Sequence, residues 1–337
     1  MEPTQQLLLG KSGLRVTRLG IGTVPIGGVF EAVAADTAAA TLRRAYELGA
    51  RYFDTAPLYG NGIAELRLGN FLRTIPRDDV VVATKVGRIL NVTPPADPRR
   101  LSVGFSPFKG APSLFPAFDF SFDAALRSIE SSLERLGLDR VDVLLIHDPD
   151  EFYEEALNGA YVAIERLRSE GVIGAIGVGM NQSKLLARFA RETDVDCFLV
   201  AGRYTLLDQE ALAELLPLCV EKRISVIIGG VYNSGILTDP RPGATFNYQP
   251  ADAAWVDKAQ KLRLVCDRHG IPLMAAAIQF PEAHPAVATI LTGVRSPAEI
   301  EHNERMMRFP IPSSLWQELK AEGLLPEAAP TPGGAAH

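Results

Sequence analysis

Ser121-Phe-Asp-Ala-Ala-Leu-Arg-Ser-Ile-Glu-Ser-Ser-Leu-Glu-Arg-Leu136, then Gly137-Leu138-Asp139-Arg140, then Val141-Asp-Val-Leu-Leu-Ile146 reads as a helix, a stop and a strand. The Ser121 hydroxyl suits a helix start, where a side-chain oxygen accepts from first-turn amides, and an apolar period follows it. Gly137 ends the helix where the chain must turn. Val141–Ile146 is a short β-branched apolar run and predicts a buried strand. The unit is helix followed by strand, the building block of a parallel sheet.

The same alternation extends in both directions. Short apolar runs stand at Leu19–Gly22, Arg51–Asp54, Val80–Lys85, Val141–Ile146, Ile173–Val178, Cys197–Val200, Ser225–Ile228 and Thr289–Leu291. Stretches with helical spacing lie at 35–48, 61–73, 121–136, 152–169, 182–192, 207–221, 251–268 and 296–306. Eight βα units with short connections favour a closed (β/α)8 barrel over an open doubly wound sheet, which requires a reversal of strand order. Ahead of the first strand, Leu7–Val16 reads as a small β-hairpin placed to plug the bottom of that barrel. No composition break divides the chain, so residues 1–324 are expected to form one barrel domain. The small, polar segment 325–337 is expected to fray.

The chain of 337 residues exceeds a minimal barrel of ~250. Much of the excess falls in two excursions. Residues 88–120 carry Pro94, Pro95, Pro98, Pro107, Pro112 and Pro116, interleaved with Phe105, Phe108, Phe115, Phe118 and Phe120. A long loop with its own aromatics predicts a substrate lid. Residues 231–250 form a second excursion rich in Gly, Pro and Asn.

Hydrophobic residues make up 47% and charged residues 22%, which leaves disordered, collagen-like and coiled-coil classes unsupported. The balance of 34 basic and 40 acidic residues, net −6, and the lack of a basic stripe argue against nucleic acid as a partner. Cys197, Cys219 and Cys266 are too scattered for a disulfide framework or a zinc site, and no metal is expected. A polar start and the absence of a long apolar run predict a cytoplasmic location and no membrane partner.

Gly171, Gly174, Gly177 and Gly179 resemble a phosphate-binding loop only superficially. They alternate with Ile173, Ile176 and Val178 inside a strand, whereas the dinucleotide fingerprint follows a strand and opens a helix.

In a barrel, chemistry sits at the C-terminal strand ends. Those ends carry Asp54 and Tyr59, Lys85, and His147-Asp148. Each alone admits a structural role: a turn cap, a packed ring, an exposed strand end, a core histidine. Together they form a self-consistent set. Tyr59 is a proton shuttle if the Lys85 ammonium lowers its pKa, Asp54 holds Lys85 in place and protonated, and His147 donates to a substrate oxygen.

At this point the chain resembles the aldo-keto reductases. The resemblance runs from Leu19-Gly-Ile-Gly-Thr23 through Gly49-Ala-Arg-Tyr-Phe-Asp-Thr-Ala-Pro-Leu-Tyr-Gly60 and Ala83-Thr-Lys85 to Gly293-Val-Arg-Ser-Pro297 and Asn303. It implies a (β/α)8 barrel, an NAD(P)(H) cofactor and a catalytic tetrad of Asp54, Tyr59, Lys85 and His147. For the cofactor it implies Gly22, Thr23, Asp54 and Asn181 around the nicotinamide and its ribose, and Gly230, Tyr232 and Ser234 at the pyrophosphate. Arg295, Glu299 and Asn303 match the adenosine end. Three positions depart from the family pattern: Ala201 replaces a Gln, Gly229 a Tyr, and Met180 a Ser. Glu299 stands where NADPH-preferring members carry Arg or Gln; a carboxylate there repels a 2′-phosphate and favours NAD, while Arg295 keeps NADP open.

Leu145-Ile-His-Asp-Pro-Asp150, Gly177-Val-Gly-Met-Asn181 and Ala201-Gly-Arg-Tyr-Thr-Leu-Leu207 look like the sugar-oxidising branch of D-threo-aldose, L-fucose and L-galactose dehydrogenases, which also holds pyridoxal 4-dehydrogenase. That implies oxidation of a cyclic aldose of L-fucose, L-galactose or D-arabinose type to its lactone, with Tyr59, His147, Asp148 and Arg203 touching substrate. Asp148 as a turn former and Arg203 as a structural ion-pair residue remain equal alternatives. Pyridoxal 4-dehydrogenase, an NADPH-dependent carbonyl reductase and a non-catalytic nicotinamide-binding relative are the other readings left open.

Overall fold

The computed structural model describes residues 1–102 and 108–333. Eight parallel strands close into a barrel: Leu19–Gly22, Tyr52–Asp54, Val81–Val86, Val143–His147, Ala175–Met180, Cys197–Ala201, Ser225–Gly229 and Val287–Gly293. Each pairs with the next, and the last returns to the first through Ile290↔Leu19 and Gly293↔Gly22. All eight apolar runs are therefore strands, with ends shifted by a few residues.

Alternation along each strand separates two cores. Tyr52, Ala83, Val143, Leu145, Leu199 and Ile227 fill the barrel interior, while Phe53, Val82, Leu144, Ile176, Phe198 and Ile228 pack outward against the helices. The N-terminal hairpin, Gln6–Leu8 paired with Arg15–Thr17, contributes fully buried Leu9 and Val16 to the interior cluster. The Gly10 amide donates to Ser225 Oγ at 2.7 Å, at the start of the seventh strand. The hairpin thus closes the bottom, as the sequence predicts.

Helix Phe122–Leu136 begins and ends as its sequence predicts. Ser121 Oγ accepts from the Ala124 amide, and Gly137 caps the end at φ 64°. The expected helix over 152–169 contains a π-helical turn at Ala156–Ala160, where a Cβ on Gly159 would stand 2.4 Å from the Phe120 carbonyl oxygen. The expected 207–221 helix is two pieces, a 3-10 turn at Glu210–Leu212 and a helix at Leu215–Lys222. Leu273–Gln279 and Ser313–Ala321 are additional helices. Leu273-Met-Ala-Ala-Ala-Ile-Gln279 is almost wholly apolar and lacks the polar face that reveals a helical period.

Residues 88–120 are more ordered than a simple loop. Arg88–Asn91 and Phe115–Phe118 form an antiparallel ribbon rising from the third strand. Phe105 and Pro107 lie outside the described residues. In the C-terminal segment, Leu325 and Ala329 pack into the outer core, so ordered packing continues past residue 324. No helix among the described residues is long and apolar enough to cross a membrane.

Gly177 and Gly179 lie inside the fifth strand, and at Gly177 glycine serves packing. A Cβ on Gly177 would meet the Cys197 carbonyl oxygen at 2.0 Å. Gly177→Ala is expected to cost about 2–3 kcal/mol by overpacking, read as a lower urea midpoint at unchanged slope.

Candidate active site

The second strand ends at Asp54 and the third carries Lys85, adjacent strands with both side chains directed into the barrel. Lys85 Nζ donates to Asp54 Oδ1 at 2.5 Å and to the Thr55 carbonyl at 2.8 Å; both side chains are about 1–2% exposed. Tyr59 follows on the loop after the second strand. Close backbone approach fixes that loop: Gly60, at φ 63°, lies against Gly27, and a Cβ on it would meet the Gly27 carbonyl oxygen at 2.3 Å. The Lys85 ammonium lies 4.7 Å from the Tyr59 ring centroid. His147 closes the fourth strand, its ring perpendicular to that of Tyr59 with centroids 5.8 Å apart. The structure thus brings Asp54, Tyr59, Lys85 and His147 together at the top of the barrel.

The electrostatics correct one expectation. Burial holds the Tyr59 phenol well above its ordinary value, Asp54 and Asp148 add to the shift, and Arg88 opposes it. Lys85 does not produce the low phenol expected from its proximity, because its charge is neutralised at 2.5 Å by Asp54 while the phenolate must be desolvated. Burial, with Arg88 and Lys85 beside it, pushes His147 well below its ordinary value, so the imidazole is neutral at pH 7. The free enzyme holds a neutral donor phenol and a neutral imidazole.

Asp148 and Arg203 are engaged by neighbours. Arg88 donates to Asp148 Oδ2, and Asp148 sits at φ 46° immediately after His147. Arg203 Nη1 bonds Asp208 and Asn247 at 3.4 and 3.3 Å, with Glu210 at 3.8 Å from Nε, and the guanidinium lies 5.8 Å from the Phe246 ring centroid. Of its two readings, the structural ion pair is the one whose bonds are present, and these bonds tie Arg203 to the 231–250 excursion.

The residues matched to a dinucleotide line one side of the same face. Thr23 is fully buried, with a hydroxyl lacking any partner, and its amide donates to the Asp54 carbonyl. Gly22 pairs with Asp54 and Gly293. Asn181 Nδ2 donates to the Ala201 carbonyl at 2.8 Å. Gly230, Asn233, Ser234 and Gly235 all have positive φ, and the turn closes on itself through Asn233 N–H to the Gly230 carbonyl and Gly235 N–H to the Tyr232 carbonyl. Ser234 Oγ is committed to the Tyr248 amide, and Tyr232 Oη donates to Asn303 Oδ1 at 3.0 Å. At the adenosine end Glu299 accepts from the Arg295 amide, and Arg295 Nη1 bonds Glu31 at 2.8 Å. A cavity of about 410 Å³ is lined by Thr238, Arg263, Asp267, Leu273, Met274 and His302, the last beside Asn303 in sequence. The buried Thr23 hydroxyl, without a partner among the described residues, fits a dinucleotide.

Arg88, Ser102, Tyr248 and Phe30 are not among the residues expected from sequence. Arg88 follows Gly87 at the end of the third strand, and that placement is its only signal. The Phe30 and Tyr248 rings stack at 5.9 Å across the rim, joining the loop after the first strand to the 231–250 excursion.

The Aldo/keto reductase family model matches residues 18–322. The chain is 41% identical over 319 residues to a D-threo-aldose 1-dehydrogenase of a Pseudomonas species, covering 94% of this chain and 96% of that protein. It is 39% identical to a pyridoxal 4-dehydrogenase of Microbacterium luteolum, covering 96% and 99%. An aldo-keto reductase from Bacillus halodurans shares the fold at TM-score 0.73 and 24% identity, covering 97% of this chain and 98% of that one. The chain belongs to the aldo/keto reductase family and is an NAD(P)-dependent oxidoreductase with a (β/α)8 barrel.

The buried pair sets a stability test. Asp54→Leu leaves the Lys85 ammonium uncompensated and is expected to cost about 3–5 kcal/mol in urea unfolding. The Asp54→Leu/Lys85→Met double variant is expected to regain most of that stability and no turnover.

Proposed function

We propose that this protein oxidises the anomeric carbon of a cyclic aldose, of L-fucose, L-galactose or D-arabinose type, to the lactone. The observation that carries the reading is the polar wall beside the tetrad: Arg88 and Asp148 sit against His147, and the Asp148 side chain, one-fifth exposed, is a carboxylate able to accept from a sugar hydroxyl there. The 41% identity to a D-threo-aldose 1-dehydrogenase supports it. The 39% identity to a pyridoxal 4-dehydrogenase supports a second reading, oxidation of pyridoxal, whose cyclic hemiacetal also yields a lactone.

The cofactor, when bound, supplies a nicotinamide that accepts hydride from the anomeric carbon. Thr23, Asn181 and Asp54 would hold the nicotinamide and its ribose, the Gly230–Gly235 turn the pyrophosphate, and Tyr232, Asn303, Arg295 and Glu299 the adenosine end. Glu299 beside Arg295 favours NAD over NADP, because the carboxylate opposes a 2′-phosphate. Tyr59, as phenolate, takes the proton of the anomeric hydroxyl. His147 Nε2 orients that oxygen, Lys85 keeps a positive charge beside the phenolate, and Asp54 fixes Lys85. The proposed setting is a cytoplasmic enzyme whose partner is its small-molecule substrate.

A panel of L-fucose, L-galactose, D-arabinose and pyridoxal, each with NAD⁺ and NADP⁺, tests the reading by coenzyme reduction. A sugar with NAD⁺ is expected to give the highest kcat/KM, whereas pyridoxal alone being oxidised would replace the first reading by the second. Tyr59→Phe is expected to lose ~10²–10⁴-fold in turnover. Because the phenol is held high, the phenolate fraction at neutral pH is small and grows as pH rises. Oxidation should therefore accelerate through the alkaline range, by about tenfold per pH unit below the phenol's pKa. A flat profile with normal Tyr59→Phe turnover removes Tyr59 as the base.

A further inference from the structure

Beside the tetrad lies a buried ion pair that the family's four residues leave unexplained. Arg88 is 6% exposed. Its Nη1 donates to Ser102 Oγ at 2.8 Å, its Nη2 donates to Asp148 Oδ2, and its guanidinium lies 4.8 Å from the Phe118 ring centroid. The same Asp148 oxygen stands 3.7 Å from His147 Nε2. His147 Nδ1 is buried and has no partner among the described residues. Asp148 occupies its left-handed conformation while its amide continues the strand pairing to the Gly179 carbonyl at 2.9 Å.

For stability alone this arrangement is poorly motivated. A buried ion pair seldom outperforms well-packed apolar residues, and unusual backbone conformation gathers at functional sites. Its chemical consequence lies in the imidazole. A neutral histidine donates from one nitrogen only, and the donor is set by what faces each nitrogen. Here a carboxylate oxygen lies on the Nε2 side and no described residue accepts from Nδ1, so the proton belongs on Nε2. That is the nitrogen on the Asp148 side, the donor a substrate oxygen beside Tyr59 requires. A bare carboxylate at this distance would also draw a second proton onto the ring and repel a Tyr59 phenolate. The guanidinium cancels that charge without occupying the front of Nε2.

We propose that Arg88 is a positioning residue: by neutralising Asp148 while leaving its Oδ2 3.7 Å from His147 Nε2, beyond hydrogen-bond reach, it acts with burial to keep His147 neutral and its proton on Nε2, free to meet a substrate oxygen. The inference rests on the dehydrogenase reading for the use made of that proton, whereas the tautomer itself belongs to the protein without substrate. The other groups facing the cluster are fixed or more distant. Lys85 is tied to Asp54 behind Tyr59, Asp150 follows on the turn after Asp148, and Tyr248 reaches from the 231–250 excursion towards Tyr59 and Asp148.

Nuclear magnetic resonance of the full-length protein with ¹⁵N-labelled histidine and bound NAD⁺ tests this directly, with the His147 signals assigned by their loss in His147→Gln. Between about pH 5 and 8, where an ordinary histidine titrates, wild-type His147 should remain a single neutral Nε2–H form. In Arg88→Met the ring should titrate within that window, and the alkaline rise of oxidation should shift to higher pH. Its kcat should fall ~10–100-fold, the scale on which an outer partner of a functional histidine is felt, with KM for NAD⁺ unchanged. Arg88→Lys should restore the neutral ring, and Arg88→Met/Asp148→Asn should abolish the new titration by removing both charges. Should Arg88→Met fail to fold, Asp148→Asn carries the test by losing the exclusive Nε2–H form. Titration of wild-type His147 in this window, or an Nε2–H form indifferent to Arg88→Met or Asp148→Asn, overturns the proposal. If the ring behaves as stated while neither sugars nor pyridoxal are oxidised, the substrate reading fails and the role of Arg88 stands.

Discussion

The contact between Lys85 and Asp54 is the constraint around which the upper barrel is organised. Two charges taken out of water are tolerated because they meet each other at 2.5 Å and the ammonium also reaches the Thr55 carbonyl. That requirement fixes the register of the second and third strands, since slipping either by one residue would turn its charge outward into the helix layer. Tyr59 is set against the ammonium by the chain that leaves Asp54, and the Gly27–Gly60 backbone contact holds that chain down. Proton-transfer geometry is therefore inherited from a packing problem. The phenol is high and the imidazole low for a shared reason, scarcity of water, and a substrate entering this site meets two neutral groups beside one compensated cation.

The barrel was readable because its parts announce themselves locally. Val141–Ile146 and its seven counterparts are apolar runs of strand length, and Ser121 and Gly137 mark a helix whose ends obey capping chemistry. Leu273–Gln279 escaped because it is apolar on nearly all sides and so has no period. Ser313–Ala321 is short, with only Pro312 and Ser313 to mark its start. The four tetrad residues were legible as polar groups at successive strand ends. Their protonation was not, because proximity in a pattern carries neither the distance to a competing carboxylate nor the desolvation of a phenolate. Arg88 was hidden for a different reason: nothing local distinguishes an arginine that points out of a loop from one that folds back over Phe118 to meet Asp148.

The described parts of the 88–120 segment and the 231–250 excursion divide the rim between them. The first brings Arg88, Ser102 and Phe118 to the His147 side. The second brings Tyr248, held by Ser234 of the 230–235 turn and stacked on Phe30. Ser234 thus ties the start of this excursion to its far end twice, through its hydroxyl to the Tyr248 amide and through its carbonyl to Thr245 Oγ1, so the shape of the 230–235 turn and that of the rim segment are linked. Arg203, bonded to Asn247, stiffens the same segment from below.

The pairing of Leu19–Gly22 with Val287–Gly293 also bears on how the molecule comes into being. Every other neighbour in the barrel is joined by one crossover, but this seam unites strands from nearly opposite ends of the sequence. Until the eighth strand arrives, the first offers an open row of amides and carbonyls, and the N-terminal hairpin has no finished floor to seal. Assembly of the sheet can proceed strand by strand, yet the enclosure that dries the Lys85–Asp54 pair exists only after the seam has formed. Catalytic competence consequently depends on a closed barrel, and a chain interrupted before residue 293 would hold all four tetrad residues without the sealed interior that gives them their chemistry.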